Sequence, residues 1–180
     1  MGNILKKILY IVLAGGIFFV LSKYLSPHPD SVKFYFTYAH PLMLFIAIVV
    51  DPLVGGLGFA LGVFFLLIGT EPIDWIAIVC AFLNAASVGY FMPTEDLHNG
   101  FFFRKSIMIF NTIQTGSNFL CWGLIYPLLT WLIYHEPFLE LVDVGLRYAL
   151  SFSLSCLVFC TLHLEMYARS RFSAANFYRS

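Results

Sequence analysis

The polar side chains most able to bind a ligand lie along one face of a single apolar segment. Asn111, Gln114 and Asn118 are three and four residues apart, and Trp122 and Tyr126 follow at intervals of four. This spacing places them on one helical face. Amides fix the polar edge of a ligand and aromatic rings stack on a flat one, so the stripe is typical of a small-molecule pocket. The alternative interpretation is hydrogen bonding that only holds helices together.

Further polar residues are expected at a similar depth in neighbouring helices. His40, Asn84 and Ser151 fall inside apolar runs, where lipid makes a polar side chain costly and therefore a functional candidate. Arg147 stands near the start of the last run, where it either binds an anionic substrate group or extends its charge to the membrane surface. The predicted substrate-binding residues are His40, Asn84, Asn118, Trp122, Tyr126, Arg147 and Ser151.

Sequence motifs of catalysis are missing. The patterns G-x-S-x-G, H-E-x-x-H and G-x-x-x-x-G-K-[ST] do not occur. The four cysteines lie in apolar runs without C-x-x-C spacing, and Asp96 and His98 have no matching set of metal ligands. We therefore expect no enzymatic activity, no cofactor and no metal. A formal net charge of zero gives no reason to expect a nucleic-acid partner.

The elements that position these residues are predicted to be membrane-spanning helices. Of 180 residues, 60% are hydrophobic and 11% are charged, whereas a soluble domain has roughly 25% charged residues. Apolar runs predict helices at about 4–25, 34–50, 53–69, 73–92, 106–134 and 144–167, with Pro41 and Pro127 bending two of them. The predicted fold is an all-α integral membrane protein, a single domain (1–180) forming a compact bundle of about six transmembrane helices.

The positions of Lys and Arg predict the orientation of this bundle. With both termini in the cytoplasm, the inner side holds Lys6, Lys7, Arg104, Lys105, Arg169, Arg171 and Arg179, and the outer side holds Lys23, Lys33 and Arg147. The positive-inside rule therefore predicts cytoplasmic termini in a multi-pass plasma-membrane protein. The predicted site then faces outward, and the segment between the first two helices is expected to cap it.

Small residues are concentrated on the first and third predicted helices. Gly55, Gly58 and Gly62 lie on the third, and Ala14 lies on the first. Because helices in lipid associate by close packing of small residues, these four are predicted to be packing or partner-docking positions. One interpretation is an ordinary contact inside the bundle, and the other is a flat surface that docks a second membrane protein.

The stretch from Asp51 to Gly62 reads D-P-L-V-G-G-L-G-F-A-L-G. It resembles the Pro-x-x-Gly-Ala-rich opening of the third helix in S components, the substrate-binding subunits of energy-coupling factor (ECF) vitamin transporters. The number of predicted helices and the chain length resemble that family over the whole sequence.

The resemblance implies a membrane subunit that captures a vitamin or similar small molecule from outside with high affinity. It also implies two kinds of partner, a transmembrane coupling subunit and ATPase subunits. The alternative function is a membrane-embedded sensing or interaction protein without transport activity. Membrane lipid surrounds the chain under either function.

Overall fold

A computed structural model describes residues 2–25, 38–68 and 73–177. Every regular element within those ranges is helical, which confirms the predicted all-α class. In chain order the helices are α1 (Gly2–Leu25), α2 (Ala39–Val49), α3 (Pro52–Leu67), α4 (Trp75–Phe91), α5 (Glu95–His98), α6 (Arg104–Asn118), α7 (Tyr126–Tyr134), α8 (Phe138–Ser155) and α9 (Thr161–Phe177).

Two π-helical segments join four of these helices into two long rods. The segment π1 (Phe119–Ile125) connects α6 to α7, and π2 (Cys156–Cys160) connects α8 to α9. Within the described ranges, three helices are long and apolar enough to cross a membrane: Asn3–Tyr24, Arg104–Tyr134 and Phe138–Phe172. The helices α2, α3 and α4 are apolar but shorter.

Several helix boundaries differ from those predicted by the sequence. The second helix begins at Ala39 rather than 34, and residues 34–37 lie outside the described ranges. Pro41 therefore lies in the first turn of α2, where its missing N–H needs no partner, and not at a central kink. The last rod begins at Phe138 rather than 144 and continues to Phe177, beyond the predicted end at 167.

Local structure also differs in two regions that were predicted to be a loop and a simple bend. The polar interval 93–103 contains the short helix α5. Pro127, expected to bend a regular helix, is the second residue of α7, which directly follows π1. A proline lacks an N–H, so the preceding turn must change its hydrogen-bond register, and a π-helical turn is one way to do this.

Aspartates define the starts of α3 and α4. Asp51 accepts hydrogen bonds from the amides of Leu53 (2.9 Å) and Val54 (3.2 Å). Asp74 accepts one from the amide of Ala77 (3.0 Å). These bonds satisfy amide groups that have no partner within the helix. Asp51 also pairs with Lys7 Nζ at 2.7 Å, which ties α1 to the turn between α2 and α3.

The helices form two groups that meet at α2 and α4. In the first group, α3 packs between α1 and α4. In the second, α8 packs against α6, π1 and α7. Contacts from α4 to α6, π1 and α7, and from α2 to α8 and π2, join the groups.

Small residues of α3 lie at its contacts with α1 and α2. A Cβ atom on Gly58 would stand 2.7 Å from the Cβ atom of Ala14, and one on Gly62 would stand 2.5 Å from the ring of Phe18. A Cβ atom on Gly55 would stand 2.5 Å from the backbone of Ala47 in α2. We call Gly55, Gly58 and Gly62 the glycine seam. In this arrangement the seam is covered by the chain's own helices.

Large apolar side chains are exposed along the outside of the helices. On α1 they include Ile8, Leu9, Val12, Leu13, Ile17 and Val20, each about half exposed or more. Water would disfavour such a continuous apolar surface, whereas lipid is its natural solvent.

Candidate functional site

A network of amides and hydroxyls joins three helices in the middle of the bundle. Asn84 on α4 donates from Nδ2 to Asn118 Oδ1 (2.9 Å) and to Ser117 Oγ (3.1 Å). Asn118 donates from Nδ2 to Gln114 Oε1 (2.9 Å) and to Ser153 Oγ on α8 (3.2 Å). We call these five residues the amide network. The contact of Asn84 with Asn118 brings together two predicted site residues from helices 34 positions apart in sequence.

A group of rings lies on the other side of Asn118. The His40 ring stacks on Phe152 with centroids 4.1 Å apart, and Trp122 meets the same Phe152 at 5.2 Å. Trp122 also packs on Tyr126 at 5.9 Å and on Tyr148 at 5.8 Å. We call His40, Trp122, Tyr126, Tyr148 and Phe152 the aromatic cluster. It links α2, π1, α7 and α8.

Gly145 allows the two rods to approach closely at this cluster. Its position on α8 lies against the backbone carbonyl of Trp122, so closely that any Cβ atom there would overlap the carbonyl oxygen. The absence of a side chain at Gly145 therefore fixes how near π1 and its Trp122 come to α8.

Several buried polar atoms at this site have no hydrogen-bond partner among the described residues. They are both ring nitrogens of His40, Asn84 Oδ1, Trp122 Nε1 and Ser151 Oγ. The side chains of His40 and Asn84 are fully buried, and those of Ser151 and Trp122 are nearly so. Buried polar groups in folded proteins are nearly always hydrogen-bonded, because leaving one unpaired costs free energy. These four residues were all predicted as substrate-binding positions, and a ligand is one way to supply the missing partners.

Tyr126 and Arg147, two further predicted residues, each pair with a carboxylate. Tyr126 donates its hydroxyl to Asp74 Oδ2 at 2.9 Å. Arg147 is about half exposed and pairs with Asp143 one turn earlier on α8. This pairing with a neighbouring carboxylate is the arrangement expected for a charge that extends to the membrane surface.

A cavity of about 340 Å³ lies beside Tyr126, on the side away from Asn118. Its lining consists of Ile73, Asp74, Tyr126, Thr130, Tyr134 and Glu136. We call it the outer cavity. The segment that was predicted to cap the site (26–37) lies outside the described residues.

Three site residues were missed by the sequence reasoning. Phe152 contacts both His40 and Trp122, Ser153 bonds to Asn118, and Asp74 bonds to Tyr126. Phe152 lies four positions after Tyr148, so the aromatic spacing on that helix was an available signal. No comparable signal marks Asp74, since it lies in a connection and acts on a residue 52 positions away.

The described residues show no group of three or more His, Cys, Asp or Glu side chains placed to hold a metal ion. Cys80, Cys121, Cys156 and Cys160 are buried free thiols. Within these ranges the site therefore consists of amides, hydroxyls, one imidazole and aromatic rings, a set suited to binding.

Comparison with known proteins identifies one family over nearly the whole chain. Residues 3–169 match the family described as "ECF-type riboflavin transporter, S component". A UPF0397 protein of Lactobacillus gasseri is 29% identical over 174 residues, covering 94% of this chain and 92% of the relative. A UPF0397 protein of Lactobacillus acidophilus is 28% identical over 178 residues, with the same shares covered.

A shorter match is found in Staphylococcus aureus. A UPF0397 protein of strain MRSA252 is 34% identical over 97 residues, covering 54% of this chain and 53% of the relative. No solved structure matches the chain significantly.

Proposed function

This chain belongs to the family of ECF-type riboflavin transporter S components, and on that premise we propose that it captures a planar vitamin or vitamin precursor for uptake. Membership confirms the family resemblance seen in the sequence. S components are substrate-specific membrane subunits of ECF transporters. The proposed substrate-binding residues are those predicted from the sequence, with Arg147 assigned to the rim and Phe152 added.

The observation that carries this proposal is the set of unpartnered polar atoms beside stacked rings. His40, Trp122 and Ser151 present hydrogen-bonding atoms that no side chain of the described chain satisfies. The rings of Trp122, Tyr148 and Phe152 offer flat apolar faces within a few ångströms. A planar ligand with polar groups on its edge would stack on these rings and bond to those atoms. The family description makes riboflavin the first ligand to test.

We propose that the site opens to the outside and that both termini are cytoplasmic. The excess of Lys and Arg on the proposed inner side supports this orientation. The ion pair between Lys7 and Asp51 puts the start of α1 and the turn after α2 at the same end of the bundle, as this arrangement of helices requires. Single cysteines in place of Ser31 and Asn99, on a background without the native cysteines, test it. A membrane-impermeant maleimide added to whole cells should label position 31 and leave position 99 unlabelled, whereas the reverse pattern would contradict the orientation.

Transport requires partners, which we propose are a transmembrane coupling subunit and two ATPases. The sequence has no nucleotide-binding motif of its own. Proteoliposomes containing the chain with its copurifying subunits should accumulate radiolabelled riboflavin in an ATP-dependent manner. The chain alone should bind riboflavin without accumulating it.

The competing function is a membrane-embedded sensor that binds the same class of ligand without moving it. Binding by purified protein, measured by quenching of riboflavin fluorescence, is expected under both functions. ATP-dependent accumulation is expected only for transport. Binding that is never accompanied by uptake, with coupling subunit and ATPases present, would favour the sensor.

A further inference from the structure

The outer cavity differs in charge from the site beneath it. Asp74 and Glu136 both line the cavity, and the described residues of its lining include no basic side chain. Tyr126 belongs to both regions, since it lines the cavity and packs on Trp122 with centroids 5.9 Å apart. A ligand group that extends outward from the aromatic cluster past Tyr126 would therefore meet two carboxylates.

Among the residues that the structure describes, the inner site contains no fixed positive charge that could compensate. Its unpartnered atoms belong to an amide, a hydroxyl, an indole and the imidazole of His40. No carboxylate in the described residues pairs with His40, and full burial among rings favours its uncharged form. Arg147, the predicted candidate for an anionic group, is already paired with Asp143 at the surface.

From these two observations we propose that Asp74 and Glu136 are specificity residues that make the site reject anionic ligands and accept uncharged ones. The inference rests on the proposed function and adds to it the charge class of the substrate. A phosphorylated vitamin would carry about two negative charges into a cavity lined by carboxylates, and the described part of its lining offers no cation to pair with them. The uncharged form would instead donate its hydroxyls to the same carboxylate oxygens.

Riboflavin and riboflavin 5′-phosphate form a matched pair of probes, because they differ only in the phosphate. Purified chain in detergent should bind riboflavin at least about tenfold more tightly than its phosphate at low salt. Added salt should narrow this ratio, since it screens the repulsion between the phosphate and the carboxylates.

Substitution of Glu136 tests the residue directly. Glu136→Gln should reduce the ratio of the affinity for riboflavin to the affinity for its phosphate by about fivefold, and Glu136→Lys should reduce this ratio further. Glu140→Gln removes a charge from an exposed position only four residues away that does not line the cavity, and it should leave the ratio unchanged. Asp74 is less suitable because it also caps α4 and binds Tyr126. Equal affinities for the two flavins, or equal effects of the two Gln variants, would overturn the proposal.

Collisional quenching gives the same test without any vitamin. In a variant with Trp75→Phe and Trp131→Phe, the remaining fluorescence comes from Trp122. Neutral acrylamide and cationic caesium should quench it more than anionic iodide, and Glu136→Lys should raise quenching by iodide. If neither flavin binds but quenching shows this selectivity, riboflavin is the wrong substrate, and the proposed rejection of anions by Asp74 and Glu136 stands. If riboflavin binds, and iodide and caesium both quench Trp122 and do so equally, the proposed rejection of anions is wrong and the proposed function stands.

Discussion

Around α3 the helices approach one another through glycines, whereas around π1 and α8 they are joined by amides and rings. At the glycine seam the neighbours are Ala14, Phe18 and Ala47, all apolar, so the contact depends on shape. At the amide network and aromatic cluster the contact depends on hydrogen bonds. Several buried polar atoms there have no partner among the described residues. A helix pair that only needs to stay together has no reason to leave polar atoms unpaired.

This difference separates positions that support the bundle from positions that serve a ligand. Substitutions at the seam should change stability alone. Those in the amide network should change stability and binding together, and those at unpartnered atoms should mainly change binding. Three experiments test this division, from the largest expected effect to the smallest, and a fourth tests an ion pair outside both regions.

Gly55→Leu should have the largest effect, a loss of folded protein. The first added carbon already overlaps the backbone of Ala47, which cannot rotate away as a side chain can. Overpacking typically costs about 1–3 kcal/mol and more where backbone must move. Thermal unfolding followed by size-exclusion chromatography in detergent measures it. Gly16→Leu on α1 is the matched control, since a Cβ atom there meets nothing within 4 Å. Equal melting temperatures for the two variants would contradict the role of the seam.

Asn118→Ala should lower both stability and ligand affinity. It removes bonds to Asn84, Gln114 and Ser153 and leaves buried partners unsatisfied, which costs about 1–3 kcal/mol for each such group. A residue that only bound the ligand would lose affinity without a loss of stability, but these three bonds make a fall in melting temperature part of the prediction. Thr112→Ala, on the exposed side of α6, is the control. A stable variant with normal affinity would show that Asn118 contributes neither to the stability of the bundle nor to ligand binding.

Trp122→Phe should weaken binding with little change in melting temperature. Phenylalanine keeps a ring against Phe152 and Tyr126 but lacks the indole N–H, which has no partner within the described chain. A lost hydrogen bond to a buried ligand group corresponds to roughly tenfold in affinity. Trp131→Phe, at a position 44% exposed, is the control for the loss of a tryptophan. If the melting temperature falls and the affinity does not, Trp122 belongs with the packing residues.

Loss of the ion pair between Lys7 and Asp51 should have the smallest effect. Partial burial raises the pKa of the Asp51 carboxyl, but hydrogen bonds from Lys7 and from the Val54 and Leu53 amides outweigh burial and lower it overall. A lowered pKa means that the folded chain stabilises the charged form. This stability is therefore present above pH about 4 and is lost as the pH falls through the folded-state pKa.

Asp51→Asn keeps a helix cap and loses the ion pair, so it should cost less than about 1 kcal/mol near neutral pH. Asp51→Ala loses both and should cost more. Thermal unfolding between pH 7 and pH 3 should show a smaller acid-induced decrease in either variant than in the wild type. Glu165→Gln, which breaks the exposed pair with Arg169, controls for a generic loss of surface charge. An unchanged pH dependence in Asp51→Asn would show that the ion pair contributes nothing.

The sequence by itself determined that this protein is helical and that lipid surrounds it. Few charges and long apolar runs require lipid contact, and lipid requires backbone groups to be satisfied within helices. Periodicity also identified the polar stripe from Asn111 to Tyr126 and the glycine seam, because a helix places residues three and four apart on one face. These inferences are local, since they need only the geometry of a single helix.

Only the tertiary structure decided which faces meet. It brought His40 onto Phe152, Asn84 onto Asn118 and Asp74 onto Tyr126. The spacing of residues within one helix carries no information about how that helix lines up with its neighbours. In this protein the alignment depends on the close approaches at Gly55 and Gly145 and on the altered turns of π1 and π2. The close approaches at Gly55 and Gly145 join different helices, so they follow from how whole helices pack and not from the spacing within one helix.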